Sequence, residues 1–185
     1  VDWNLSRSRY WGTPLPIWRT EDGTEEICIG SFEQLQEEIN KAKDLNPHLP
    51  ADYDARKVLD PHRPYVDAIV LRSASGKPMQ RESDLIDVWF DSGAMPFAQL
   101  HFPFENKDVF AKNFPADLIA EGVDQTRGWF FTLHVIATLM NDSVAYKNVI
   151  SNGLVLDKNG NKMSKRLGNG VDPFSTIYKY GADAT

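Results

Sequence analysis

Apolar and polar positions follow two periods along this chain of 185 residues. Phe32, Leu35, Ile39 and Ala42 recur at helical spacing. Ser31 and Gln34, three positions apart, form a capping-box pair. A helix is therefore predicted from residue 31 to about 44. Before it, residues 1–30 combine an arginine- and aromatic-rich opening with a pair of strands. After it the periodicity lapses. Five of the eleven prolines (Pro47, Pro50, Pro61, Pro64 and Pro78) fall between residues 46 and 84, a density no regular helix survives. Residues 66–71 are the one good strand candidate in that stretch.

From residue 85 the pattern turns to alternating strands and helices. Residues 85–90 read as a strand, and Ser92 as the cap of a short helix that ends before Pro103. Residues 117–120 read as a buried strand that runs into Glu121 and Gly122 and then into a long apolar helix from about 125 to 140. Residues 148–151 and 154–156 read as strands. Asn159 and Gly160 mark a turn. Asp172 followed by Pro173 forms a cap and first helical position, and Gly181 a stop. This order predicts an α/β domain with a parallel sheet and flanking helices over 85–185. It is preceded by a junction segment (1–30) and a small loop-rich α+β insertion (31–84). There is no internal repeat and no low-complexity segment.

Composition narrows the class. Hydrophobic residues make up 42% and charged residues 25%, as in ordinary globular chains. No apolar run approaches the roughly 18 to 20 residues of a membrane span. The single cysteine, Cys28, excludes an internal disulfide framework and a multi-cysteine zinc site; set between Ile27 and Ile29, it is expected in the core. The net charge of −6 argues against an all-over nucleic-acid binder. The charge is uneven: residues 82–124 carry nine carboxylates and two lysines, whereas residues 157–185 carry five Lys/Arg and three Asp. These are either solvated faces or a cleft with an acidic wall and a basic lid. The chain lacks an initiator methionine and a targeting signal, and it ends just past the Gly181 stop. Both ends therefore read as cuts in a longer protein.

Four strings could carry chemistry. EGVDQTRGW, residues 121–129, lies between a strand and a helix, where open α/β sheets bind ligands. Gly122 allows close backbone approach. Glu121 could pair with an ammonium group. Asp124 either caps the helix or hydrogen-bonds a ribose hydroxyl, Gln125 serves a ligand or solvent, and Trp129 packs by default. His134 on the same helix reads as a core histidine. KMSKR, residues 162–166, offers three cations that could neutralise a polyphosphate, or an exposed basic loop. In DVWFDSG, residues 87–93, Trp89 is either core or the wall of an apolar pocket. SRSRYWG, residues 6–12, could hold phosphates or stacked bases, or lock a junction, the reading favoured here. No nucleophilic triad, Walker loop or GxGxxG occurs.

Together these strings resemble the class I aminoacyl-tRNA synthetases, and within them the isoleucyl branch. KMSKR is similar to the KMSKS signature, with Arg166 in place of the last serine. EGVDQTRGW resembles the stretch that holds the aminoacyl-adenylate. DVWFDSG and SRSRYWG resemble the segments that follow the inserted editing domain. The resemblance implies the second half of a Rossmann-like nucleotide-binding fold plus a connecting insertion. It implies that Glu121, Gly122, Asp124 and Gln125 contact the adenylate, that Trp89 and Trp129 wall the isoleucine pocket, and that Lys162 and Lys165 meet ATP. Asn152, Gly153, Leu154 and Val155 would flank the adenine. The implied partners are isoleucine, ATP with magnesium as its substrate complex, and tRNA(Ile), in a cytoplasmic enzyme with no membrane partner and no metal site in this chain. The HIGH signature, the editing domain and the anticodon-binding helices do not occur here, so the isolated chain is expected to be inactive.

Overall fold

A computed structural model describes residues 2–185, which divide into two units, one ending at Asn106 and the other spanning Lys107–Thr185. In the first unit, β1 (Ser6–Arg7), β2 (Ile17–Thr20) and β3 (Glu26–Cys28) precede the helix α1 (Phe32–Lys41). The expected cap forms: Gln34 N donates to Ser31 Oγ at 3.1 Å, and Gln34 Oε1 accepts from Gly30 N at 2.7 Å. Leu35 and Ile39 are buried while Phe32 stays 40% exposed. There follow the one-turn helix α2 (Ala55–Val58), β4 (Leu71–Arg72), β5 (Pro78–Arg81), β6 (Leu85–Ile86), and the short helices α3 (Val88–Gly93) and α4 (Met95–Ala98).

A four-stranded antiparallel sheet in the order β3-β2-β5-β4 organises this unit. Its inner face and α1 enclose Trp18, Leu35, Ile39, Ile69, Leu71 and Met79. The Trp18 indole N–H donates to Ile69 O at 2.9 Å, which satisfies the one polar group that this large side chain brings into the core.

Four expectations change here. Residues 66–71 are not one strand: Val66–Ala68 form a 3-10 turn, and only Leu71 and Arg72 join the sheet. Val66, Ile69 and Leu71 all reach the core this way, while Asp67 is left to face two arginines. Residues 85–90 split after Ile86, because β6 has only the two-residue β1 as ladder partner, and Asp87 turns inward to side chains of the N-terminal segment. Ser92 is not the cap of the next helix, which is Ala94; it lies within α3 and its hydroxyl donates to Val88 O at 3.3 Å. Cys28 is exposed. Along β3 Ile27 packs on the core, so the pleat turns Glu26 and Cys28 outward. Leu85 and Ile86 are tied to Pro14, Ser6 and Arg7 within the first unit.

The second unit runs α5 (Lys107–Asn113), β7 (Ala116–Gly122), α6 (Trp129–Asn141), β8 (Tyr146–Asn152) and α7 (Pro173–Tyr180). β7 and β8 pair in parallel with α6 as the crossover, as the alternation predicts. Leu133 and Ala137 of α6 pack with Ala145, Phe114 and Ile119. The other sheet face is open: Leu118 is 55% and Ile150 51% exposed, so the expectation of a buried strand at 117–120 is corrected. Residues 154–156 form no strand, only a single bridge between Leu156 and Lys162. Asp172 caps α7 through Phe174 N and Ser175 N, and Gly181 ends it at φ +87°, both as expected.

Candidate active site

The carboxyl edge of the parallel pair gathers two of the anticipated segments. Glu121 lies in register with Ser151, and Gly122 with Asn152. Residues 121–125 and 152–155 therefore leave the sheet side by side, at the edge where parallel sheets present ligands. Glu121 and Asp124 are exposed, and so are Asn152, Gly153, Leu154 and Val155. Gly122 has an ordinary φ of −71°, and a Cβ there would stand 2.6 Å from Asp124 Oδ1, so any side chain at 122 would displace that carboxylate. The glycine thus leaves room for the Asp124 carboxylate beside the end of β7.

The capping reading of Asp124 does not hold. Residues Val123–Arg127 form a 3-10 turn, and the cap of α6 is Gly128, four residues beyond Asp124. Gln125 performs part of the expected capping: its Oε1 accepts from Trp129 N at 3.0 Å, and its Nε2 donates to Asp124 Oδ2 at 3.3 Å. One amide therefore ties the exposed carboxylate to the start of the helix. Trp129 is half-buried against the Leu133 and Ala137 cluster. His134 stacks on Tyr146 with ring centroids 4.4 Å apart and accepts from Ala145 N at Nδ1, 3.1 Å away, so its role is structural. The two rings line one wall of an apolar groove of about 700 Å³ between α6 and β8.

Beyond β8 the chain folds into the basic loop. Lys162, Lys165 and Arg166 are exposed, while Met163 and Ser164 turn partly inward. The turn at Asn159 and Gly160 forms as expected, with Gly160 at φ +78°. In the first unit, Trp89 lies on α3 rather than on a strand and is 42% exposed. Just before it, Asp87, 4% exposed, accepts from Trp3 Nε1 at 2.8 Å and pairs with Arg7 at 3.2 Å. Arg7 thus ties the N-terminal segment to the start of α3. Sequence reasoning missed Asp87, because no local pattern marks a carboxylate whose partners lie some eighty positions away.

Among the described residues no group of three or more His, Cys, Asp or Glu side chains could hold a metal ion.

The family described as tRNA synthetases class I (I, L, M and V) matches residues 1–185. The chain belongs to the class I tRNA synthetases. Among its relatives, the isoleucine–tRNA ligase of Cytophaga hutchinsonii is 71% identical over 185 residues, covering all of this chain and 16% of that protein. The isoleucine–tRNA ligase of Thermus thermophilus is 55% identical over 184 residues, again covering all of this chain and 16% of the relative. This synthetase chain therefore spans about a sixth of the length of the curated relatives it matches. The leucyl-tRNA synthetase chain in the ternary complex of Agrobacterium radiobacter K84 agnB2 LeuRS with tRNA and LeuAMS superposes with a TM-score of 0.63 at 24% identity, over 98% of this chain and 23% of that one. At that identity the likeness establishes the fold.

Proposed function

We propose that this chain is the part of an isoleucine–tRNA ligase that completes the adenylate-forming site. Residues 1–30 serve as the junction after an editing domain, 31–84 as a connecting insertion, and 85–185 as the second half of the catalytic domain. In this reading the intact enzyme acts in the cytoplasm; no helix among the described residues is long and apolar enough to cross a membrane. A carboxylate oxygen of isoleucine attacks the α-phosphorus of ATP. The bond from that phosphorus to the bridging oxygen breaks, and pyrophosphate leaves. A terminal ribose hydroxyl of tRNA(Ile) then attacks the carbonyl carbon of the adenylate, and AMP leaves with the bonding pair.

The residues divide this work by chemistry. Glu121 pairs with the ammonium group of isoleucine. Gly122 gives the adenylate a close backbone, Asp124 accepts from the ribose, and Gln125 orients Asp124 through their mutual hydrogen bond. Trp89 and Trp129 wall the aliphatic side chain. Asn152, Gly153, Leu154 and Val155 flank the adenine. Lys162 and Lys165 stabilise charge developing on the phosphates, a role worth about 3 kcal/mol per positioned donor. Magnesium enters with ATP as part of the substrate.

The observation that best supports this reading is the 71% identity to an isoleucine–tRNA ligase along the whole chain. The test is amino-acid-dependent ATP–pyrophosphate exchange by the full-length protein. Exchange with isoleucine is expected, with a fall of about a hundredfold in Lys165→Ala. Exchange with valine or leucine instead would place the chain in another branch. No exchange with any amino acid, together with steeply salt-dependent tRNA binding, would indicate a non-catalytic RNA-binding module. The isolated chain of 185 residues should catalyse no exchange.

A further inference from the structure

The basic loop is closed on itself by two side chains that carry none of its positive charge. Asp157 opens the loop. Its Oδ1 accepts from the backbone N–H of Asn159 and of Asn161, each at 2.9 Å. Its Oδ2 accepts from Asn169 Nδ2 at 2.8 Å. The same Asn169 amide reaches back into the motif: its Oδ1 accepts from Ser164 N at 2.9 Å, and its Nδ2 also approaches Lys162 O at 3.4 Å. Ser164 is fixed in turn from the far side, because Leu167 N donates to its hydroxyl at 3.2 Å. The main chain at Lys162 and at Ser164, which flanks Lys165, is thus pinned to one amide, and that amide to one carboxylate. Asp157 and Asn169 are half-buried, whereas Lys162 and Lys165 are exposed.

The geometry points to Asp157 and Asn169 as a clamp that holds the KMSKR turn in one shape before nucleotide arrives, so that both ammonium groups are presented together; the two are positioning residues for the ATP step. This rests on the reading that Lys162 and Lys165 meet ATP. The donor and acceptor pattern is specific. An amide at 169 is the one side chain of this length that can accept from Ser164 N and donate to a carboxylate at once. The Asp157 carboxyl is held below its ordinary range, first by the Asn169 amide and then by the Asn161 backbone, so it stays an ionised, pure acceptor at neutral pH. A loop that kept many shapes would lose entropy on meeting the phosphates, and a preorganised one avoids most of that loss.

The test uses the full-length protein and ATP–pyrophosphate exchange. Asn169→Ala removes at least two hydrogen bonds and should lower kcat/KM for ATP about tenfold while leaving the KM for isoleucine unchanged. Asp157→Asn sets two amide donors face to face and should give a similar loss. The double variant Asp157→Asn with Asn169→Asp exchanges the two groups. The new amide at 157 still accepts from the turn and now donates to the new carboxylate at 169, which still accepts from Ser164 N. It should recover most of the ATP-specific loss. Normal use of ATP by Asn169→Ala, or no recovery in the double variant, would overturn the clamp. Equal losses for ATP and isoleucine would also overturn it, by showing a general structural defect. Lys165→Ala separates the two readings. If it is impaired and Asn169→Ala is not, the lysine assignment stands and the clamp fails; if it is not impaired, the lysine assignment fails and takes the clamp with it.

Discussion

Asp67 neutralises two arginines from opposite sides. Its Oδ2 accepts from Arg63 Nε at 2.8 Å, and its Oδ1 accepts from Arg81 Nε at 2.6 Å. The two ends differ in environment. Arg81 has a side chain only 1% exposed, with Nη1 donating to Leu15 O and Asp84 O, whereas Asp67 is 30% exposed. Breaking a buried pair from one side strands the other charge, which typically costs 3–5 kcal/mol. Asp67→Asn should therefore destabilise the first unit by about 3 kcal/mol, the lower end, because water reaches the site where the carboxylate stood. A urea titration reads the change as a lower midpoint at unchanged slope. The solvent-exposed Asp44 pairs with Arg72 at 2.5 Å, and Asp44→Asn should scarcely move the midpoint. Equal shifts in the two variants would mean that burial of Arg81 is not what makes Asp67 matter.

At the level of elements, the end of β7 separates function from stability. A methyl group at residue 122 would meet Asp124 Oδ1 at 2.6 Å. That oxygen is the tip of an exposed side chain and can swing away, and Gly122 needs no left-handed backbone. Gly122→Ala should therefore leave thermal stability within about 0.5 kcal/mol of the parent. It should nevertheless weaken binding of a non-hydrolysable isoleucyl-adenylate to the full-length protein, measured by calorimetry. Unchanged affinity would remove Asp124 from the site. The same scale explains what was legible beforehand. Helices α1 and α7 could be read because their signals are local: Ser31 with Gln34, and Asp172 with Pro173 and Gly181, meet partners within one turn. The parallel pair, with the candidate site proposed at its carboxyl edge, could be read because a strand, a glycine and an apolar helix follow one another directly. The fate of residues 87–90 could not, since it is decided by Trp3 and Arg7 from the other end of the unit. The Asp157 and Asn169 pair escaped for a related reason. Each looks like an ordinary turn residue, and their contact closes a twelve-residue gap that no periodicity marks.

Over the whole molecule, burial is unequal between the two units, and this sets where the chain should open first. The four largest fully buried side chains among the described residues, Trp18, Ile69, Leu71 and Leu85, all belong to the first unit. Its sheet has four strands, with α1 packed across the inner face. In the second unit the sheet has two strands, its small core is built on Leu133, Ala137 and Ala145, and Val149 and Ile150 of β8 are each about half exposed. A two-stranded ladder with one face in water depends almost entirely on the helix packed against the other face. Local opening free energies follow such burial. Amide hydrogen exchange on this chain should therefore show β2 and β5 protected about a hundredfold more than β7 and β8, equivalent to roughly 3 kcal/mol in opening free energy. Within the second unit, α6 should outlast β8, since Phe130, Leu133, Ile136 and Ala137 are buried while the outward side chains of β8 are not. Equal protection in the two sheets would mean that the ladder between β7 and β8 draws its stability from its own hydrogen bonds rather than from apolar burial. The edge that carries Glu121 and Asn152 would then be rigid by itself. The expected inequality instead makes that edge the more yielding part of the chain, and the order of the candidate site would come to depend on what binds there.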